Sequence, residues 1–236
     1  MTDFWDDAWN NERLAHGSDL ISHLMHRSAL RYSYELLGDI TGKKILEIGC
    51  GSGAQTLDFC RMGSDVTAID VSEESVKTTI SLIHHHHLSA HVLAADAESL
   101  PFNDETFDAV YINCMLMHTD KDKVIRESLR VLKKNGSFVM KEVLKHWIFS
   151  FPYRTFSPYS ATKPHYITLR DVTQLHGEHR EFYLFSTFFL FLFYAFKNKQ
   201  RVHSFFSLFE HFDDIIFRCL SFTRHCAWVT VARVRK

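Results

Sequence analysis

The segment Ile45-Leu-Glu-Ile-Gly-Cys-Gly-Ser-Gly53 runs an apolar strand directly into three glycines at alternate positions. Glycine admits positive φ and lets bare backbone approach a ligand closely, while amides at the start of a following helix meet polar or anionic groups. A glycine-rich turn alone specifies little, but Asp70 lies about 20 residues further on, at the end of the next apolar segment, where a carboxylate can grip ribose hydroxyls. Asp96-Ala97, after a third apolar segment, would add a carboxylate for an adenine amino group and a backbone amide for the ring. Turn, first carboxylate and second carboxylate together imply a nucleoside ligand.

These residues need a scaffold that brings strand ends to one edge, and the pattern supplies one. Strands are expected at Lys43–Ile48, Asp65–Ile69, His91–Ala95, Phe107–Ile112 and Ser137–Val143, alternating with helices at Ala54–Arg61, Glu73–His86 and Lys121–Lys133. Strands separated by helices pair in parallel through right-handed crossovers, which gives an α/β, Rossmann-like doubly wound sheet. Asn135-Gly136 reads as the turn before the fifth strand. Residues 18–37 read as helices ending at Gly38, Thr168 as a helix N-cap, Glu181–Phe185 as a sixth strand, Arg201–Leu220 as a helix and Ala227–Val234 as the last strand. The expected sheet is mostly parallel and seven-stranded, in a single domain. That domain comprises an N-terminal helical cap (1–37), a cofactor-binding core (38–145), an aromatic insertion or substrate cap (146–225) and the final strand (226–236).

With ILEIGCGSG as cofactor loop, AIDVS as ribose strand end and AADAESLPF as adenine segment, the sequence resembles the class I S-adenosylmethionine-dependent methyltransferases. FDAVYINCMLMHT, followed by KDKVIRESLRVLKKNG and SFVMKEV, resembles the same family's fourth-to-fifth-strand unit, so the likeness covers about residues 40–145. It implies S-adenosylmethionine as cofactor and S-adenosylhomocysteine as product. It also implies that Glu47 and Gly49 border the methionine moiety, that Asp70 holds the ribose, that Asp96 and Ala97 flank the adenine, and that Asn113 lies beside the methyl donor, with Cys50, Gly51, Gly53 and Val71 as further cofactor-binding residues. The alternating glycines depart from Gly-x-Gly-x-x-Gly, which lowers a nicotinamide reading. For a base, the resemblance points to His118, which Asp120 would orient, with His146 second; the alternative for His118 is a helix-capping or surface histidine. Cys50 reads as a small side chain tolerated beside glycine rather than a reactive thiol.

Composition removes other classes. Lysine plus arginine total 27 against 28 acidic residues, a net charge of −1, so no general attraction to nucleic acid or anionic membrane is expected. The five cysteines are scattered without a Cys-x-x-Cys pair, which fits neither a disulfide framework nor structural zinc, and suits a reducing, cytoplasmic setting. The first ten residues lack a secretory pattern. The tract His84–His87 reads as a solvated helix end, because consecutive helical residues point apart and make a poor metal cage.

Acceptor recognition is expected in residues 1–35 and 145–220, both aromatic. Trp5, Trp9, Tyr32 and Tyr34 would cover the cofactor pocket or pack in the core. Phe182–Phe196 is apolar all round but shorter than the roughly 20 residues a spanning helix needs. It is either core or part of a site for a small-molecule or lipid-like acceptor, with Arg154, Lys163 and His165 reaching polar groups, peripheral membrane contact and a homodimer as further possibilities. A non-catalytic S-adenosylmethionine-binding module and an RNA or protein methyltransferase are the rival readings.

Overall fold

A computed structural model describes residues 20–144, 166–173, 175, 179–185 and 229–236. Helix α1 (Leu20–Leu37) leads to β1 (Lys44–Ile48), α2 (Ala54–Arg61), β2 (Asp65–Asp70), α3 (Glu73–His85), β3 (His91–Ala94) and β4 (Phe107–Asn113). A single 3-10 turn at Leu116–His118, α4 (Lys121–Val131), β5 (Leu132–Val143), α5 (Leu169–Thr173), β6 (His179–Phe185) and β7 (Val229–Arg235) complete it. Among the described residues the sheet has seven strands in the order β3-β2-β1-β4-β5-β7-β6. β1 to β5 run parallel, whereas β7 lies antiparallel between β5 and β6.

Strands buried on both faces explain why their sequences read as continuous apolar runs rather than alternating ones. On one face Ile45, Tyr111 and Val139 pack with Phe59 of α2, Ile83 of α3 and Leu36 of α1. On the other, Ile48, Ile112 and Met140 pack with Val124 of α4 and Val172 of α5. Tyr34 belongs to the first layer: its ring meets Phe59 and Tyr111 edge-on or tilted, and its hydroxyl donates to Asp58 Oδ2 at 3.0 Å. Tyr32 packs against the same cluster. Both tyrosines therefore pack against the core. Trp5, Trp9, His146, Arg154, Lys163, His165 and the helix expected at Arg201–Leu220 lie outside the described residues, as does Phe182–Phe196 beyond Phe185.

Helix starts follow their caps. Ser72 Oγ accepts the Ser75 N–H to open α3, and Thr168 Oγ1 accepts the Asp171 N–H while the Asp171 carboxylate accepts the Thr168 N–H, a reciprocal cap for α5. The tract His84–His87 closes α3, with His84, His85 and His87 exposed and His87 at φ 56°.

Most boundaries shift by one or two residues, and the largest difference is at β5. β5 begins at Leu132, not Ser137, and pairs with Phe107 before a register shift. Asn135 and Gly136 thus form an irregularity inside the strand: Asn135 takes φ 64° and gives its N–H to the Lys236 carbonyl at 2.8 Å. A Cβ at Gly136 would stand 2.7 Å from Leu132 Cδ1 and 2.8 Å from the Lys133 carbonyl. Gly136→Ala is expected to cost about 1–3 kcal/mol through that overpacking, read from urea unfolding midpoints at constant slope.

Candidate functional site

The turn after β1 is left-handed at all three of its glycines, with φ 81° at Gly49, 52° at Gly51 and 81° at Gly53. Only glycine adopts this repeatedly without strain. Neighbours also forbid side chains here. A Cβ at Gly49 would lie 3.2 Å from Met115 Cβ, and one at Gly53 would lie 2.9 Å from Thr79 Oγ1 and 3.0 Å from Thr79 Cα. The glycine turn is thereby pressed between α3 and the segment leaving β4.

β2 holds the turn in place. The N–H groups of Gly49 and Cys50 both donate to the Ile69 carbonyl, at 2.8 and 3.0 Å. Asp70 Oδ2 accepts the Gly51 N–H at 2.9 Å, and its Oδ1 accepts the Ser72 N–H at 3.0 Å. Asp70 is thus a brace between turn and strand end, with its carboxylate at the carboxyl end of β2. Beside it Val71 is 38% exposed, an apolar face at the carboxyl edge of the sheet. Asp96 is exposed after β3, its Oδ1 accepting the Glu98 N–H at 2.8 Å, and Ala97 behind it is buried. Arg130 of α4 fixes the following loop by donating to the Leu100 and Phe102 carbonyls and to Asp104 and Glu127.

Glu47 lies under the turn, 1% exposed, with Oε2 accepting the Thr56 hydroxyl at 2.5 Å. Oε1 is buried without a hydrogen-bond partner among the described residues. Burial, reinforced by Asp70 and Asp58, pushes this carboxyl from the ordinary 4.5 to about 8 against the opposing Thr56 bond. An unmet acceptor beneath a glycine cradle suits a ligand that brings N–H groups or positive charge. Cys50 is buried, and that burial pushes its thiol up, leaving a packed side chain and not a nucleophile.

At the end of β4, Asn113 is half-buried and its Oδ1 accepts from Lys141 Nζ at 2.9 Å. His118 ends the 3-10 turn, and burial lowers its imidazole to about 4, so it stays neutral near pH 7 and is a weak base in this environment. Asp120 does not orient it. Its Oδ1 caps α4 by accepting the Lys123 N–H at 3.3 Å, and its Oδ2 stands 3.6 Å from Lys123 Nζ.

Two site residues escaped the sequence reading. Lys141 and Glu142 are adjacent in β5 and only 2% and 0% exposed. Two neighbouring charges inside the apolar strand SFVMKEV were the available signal. Glu142 Oε1 accepts the N–H groups of Met115 and Leu116 at 2.9 and 3.1 Å, shaping the loop that presses on Gly49 and carries His118, while Oε2 is buried without a hydrogen-bond partner among the described residues.

Residues 46–140 match a family model described as methyltransferase domain. The chain is 37% identical over 134 residues to the ubiquinone/menaquinone biosynthesis C-methyltransferase UbiE of Idiomarina loihiensis, covering 54% of this chain and 53% of that relative. It is 36% identical over 134 residues to the UbiE of Pseudomonas paraeruginosa, covering 54% and 52%. The chain therefore spans about half the length of the curated relatives it matches. Among solved structures, the [4+2]-cyclase SpnF gives a TM-score of 0.61 at 21% identity, covering 89% of this chain and 80% of that one. Phosphoethanolamine N-methyltransferase 2 of Haemonchus contortus, in complex with S-adenosyl-L-methionine, gives 0.62 at 17% identity, covering 87% and 52%. These likenesses establish the fold; a cyclase beside a methyltransferase shows that the fold does not choose the reaction.

Gly53→Ala is expected to lose about 1–3 kcal/mol of stability, since strain at φ 81° adds to contact with Thr79 backbone; thermal unfolding beside Gly38→Ala, whose Cβ meets nothing within 4 Å, isolates the contact. A pH effect follows from Glu142, which burial raises from 4.5 to about 7. Because the folded value lies above the unfolded one, its contribution is full below about pH 4.5 and is lost as pH rises through about 7. Glu47 acts in the same direction up to about 8, and His118 acts oppositely, losing stability as pH falls from 6.5 towards 4. Glu142→Gln keeps an acceptor for the two N–H groups and removes one ionisation. Its melting temperature relative to wild type should rise from pH 5 to pH 8.

Proposed function

We propose that this chain, whose residues 46–140 match the methyltransferase domain model, is an enzyme that transfers the methyl group of S-adenosylmethionine to an O, N or C atom of a small-molecule acceptor. The observation that carries this reading is the cradle itself: three left-handed glycines, Gly51 held by Asp70, beside a Glu47 oxygen with no partner among the described residues, at the carboxyl edge of a doubly wound sheet. These groups fit the proposed cofactor. Asp70 would accept ribose hydroxyls, Val71 would face the adenine, Asp96 and the Ala97 amide would meet its edge, and Gly49, Gly51 and Gly53 with Glu47 would border the amino-acid end. Asn113 would stand beside the reacting centre.

The cofactor supplies an electrophilic methyl group on a sulfonium. The chain's own residues then have two tasks, alignment of the acceptor and exclusion of water, and positioning alone contributes effective molarities up to about 10⁵ M or more. An acceptor hydroxyl or protonated amine needs a proton removed, and we assign that task to His118, which follows β4. Its lowered value makes it a weak base until an anionic neighbour or ligand raises it. S-adenosylhomocysteine is the product.

The first-named relatives carry the words ubiquinone/menaquinone biosynthesis, which supports a lipid-like, ring-bearing acceptor over a polar one. The aromatic stretch 146–225 and residues 1–37 would form its cap, with contact at a membrane surface; no helix among the described residues is long and apolar enough to cross a membrane.

Calorimetry decides the cofactor assignment. Wild-type protein should bind S-adenosylhomocysteine more tightly than its 2′-deoxy analogue. Asp70→Ala should weaken the parent ligand at least tenfold and abolish the preference, because a charge-assisted hydrogen bond contributes about 1.5–3 kcal/mol. A preference that survives in Asp70→Ala overturns the ribose role and leaves Asp70 a brace.

A further inference from the structure

Lys141 is a buried ammonium whose hydrogen bonds go to no charged partner among the described residues. It is 2% exposed, and Nζ donates to Asn113 Oδ1 at 2.9 Å and to Cys114 Sγ at 3.3 Å. Burial pushes the Cys114 thiol up, so both acceptors are uncharged. Its neighbour in sequence, Glu142, projects to the opposite face of β5 and is spent on the Met115 and Leu116 amides. A buried charge whose hydrogen bonds go only to neutral groups is costly, and a ligand that brings an anion would offset that cost.

The pair is held firmly. Asn113 and Lys141 are direct partners across β4 and β5, and the Cys114 N–H returns to the Lys141 carbonyl at 2.8 Å with Cys114 at φ 55°. An ammonium has no acceptor, so the atom of Asn113 facing it must be the amide oxygen. The amide nitrogen, a donor, is what Asn113 has left to offer. Asn113 and Lys141 share the sheet face that carries Tyr111 and Val139. Glu47, paired with Tyr111 across β1 and β4, lies on that same face with its unmet Oε1. The Oε1 atom of Glu47, without a partner among the described residues, and the Lys141 ammonium, bonded there only to neutral acceptors, thus share the sheet face at the end of β4. That arrangement complements a zwitterion.

We infer that Lys141 is a positioning residue that sets Asn113 to donate its amide N–H to the carboxylate of the methyl donor's amino-acid end, with the ammonium supplying the matching charge. The inference rests on the methyl-donor reading above and deepens it. It predicts selectivity for the carboxylate itself, separable from adenosine binding.

The test compares S-adenosylhomocysteine with its decarboxylated analogue, S-adenosyl-3-thiopropylamine, by calorimetry on the full chain. Lys141→Met, a shape-matched substitution that removes a buried charge, should weaken the first at least tenfold and leave the second within twofold. Asn113→Ala should do the same, and the two losses should be less than additive in the double variant, since Lys141 acts in part through Asn113. Lys141→Arg, which restores charge and donors, should recover part of the loss, with melting temperatures confirming that each variant folds. Equal weakening of both ligands, weakening of neither, or additive losses in the double variant would overturn the role while leaving the methyl-donor reading intact. Failure of the wild-type protein to bind S-adenosylhomocysteine would overturn both.

Discussion

The carboxylate of Asp70 ties two pieces of backbone that otherwise have no reason to stay together. One oxygen holds the Gly51 N–H and the other holds the Ser72 N–H, while the Ile69 carbonyl takes two further amides from the same turn. Three successive alternate residues in the left-handed region are expensive in conformational entropy, and this set of four bonds offsets that cost. Once the turn is fixed, Gly53 lies against Thr79 and starts α2, and Gly49 lies against Met115 and fixes the exit from β4. Every group assigned to the ligand is placed relative to that clamp.

The clamp also explains what was legible in the sequence. Strand, glycine turn and helix from Ile45 to Arg61 could be read because local chemistry and final structure agree there. Asp70 was recognisable by its place after β2, although its bond to Gly51 was not, since nothing local announces a partner across the turn. Asn135-Gly136 carries the same letters as a free turn. Its role inside β5 depends on the Lys236 carbonyl, about a hundred positions away. Asp120 presents the same signal whether it orients His118 or caps α4, and only the three-dimensional path decided for the cap.

Lys141 and Glu142 show a different limit to pattern reading. In a strand covered on both faces, adjacent charges separate to opposite sides of the sheet, and sequence alone gives no hint of which faces what. Here Glu142 organises the backbone of the loop after β4, while Lys141 grips the side chain at its start. The two sides of the sheet thus stabilise one loop by unlike means, amide capture on one and an ammonium contact on the other.

The position of β7 carries a consequence for how the molecule assembles. It inserts antiparallel between β5 and β6, and Val143 finds its partner in Val229, 86 positions later. Until that segment is available, the β5 flank is an open row of amides and carbonyls, ready to template any extended chain it meets. Closing so long an excursion is slow compared with forming the βα units that precede it. The nascent protein therefore passes through a stage in which the glycine turn and its clamp can form while the sheet still has a raw edge, and that interval is when misassociation threatens it most.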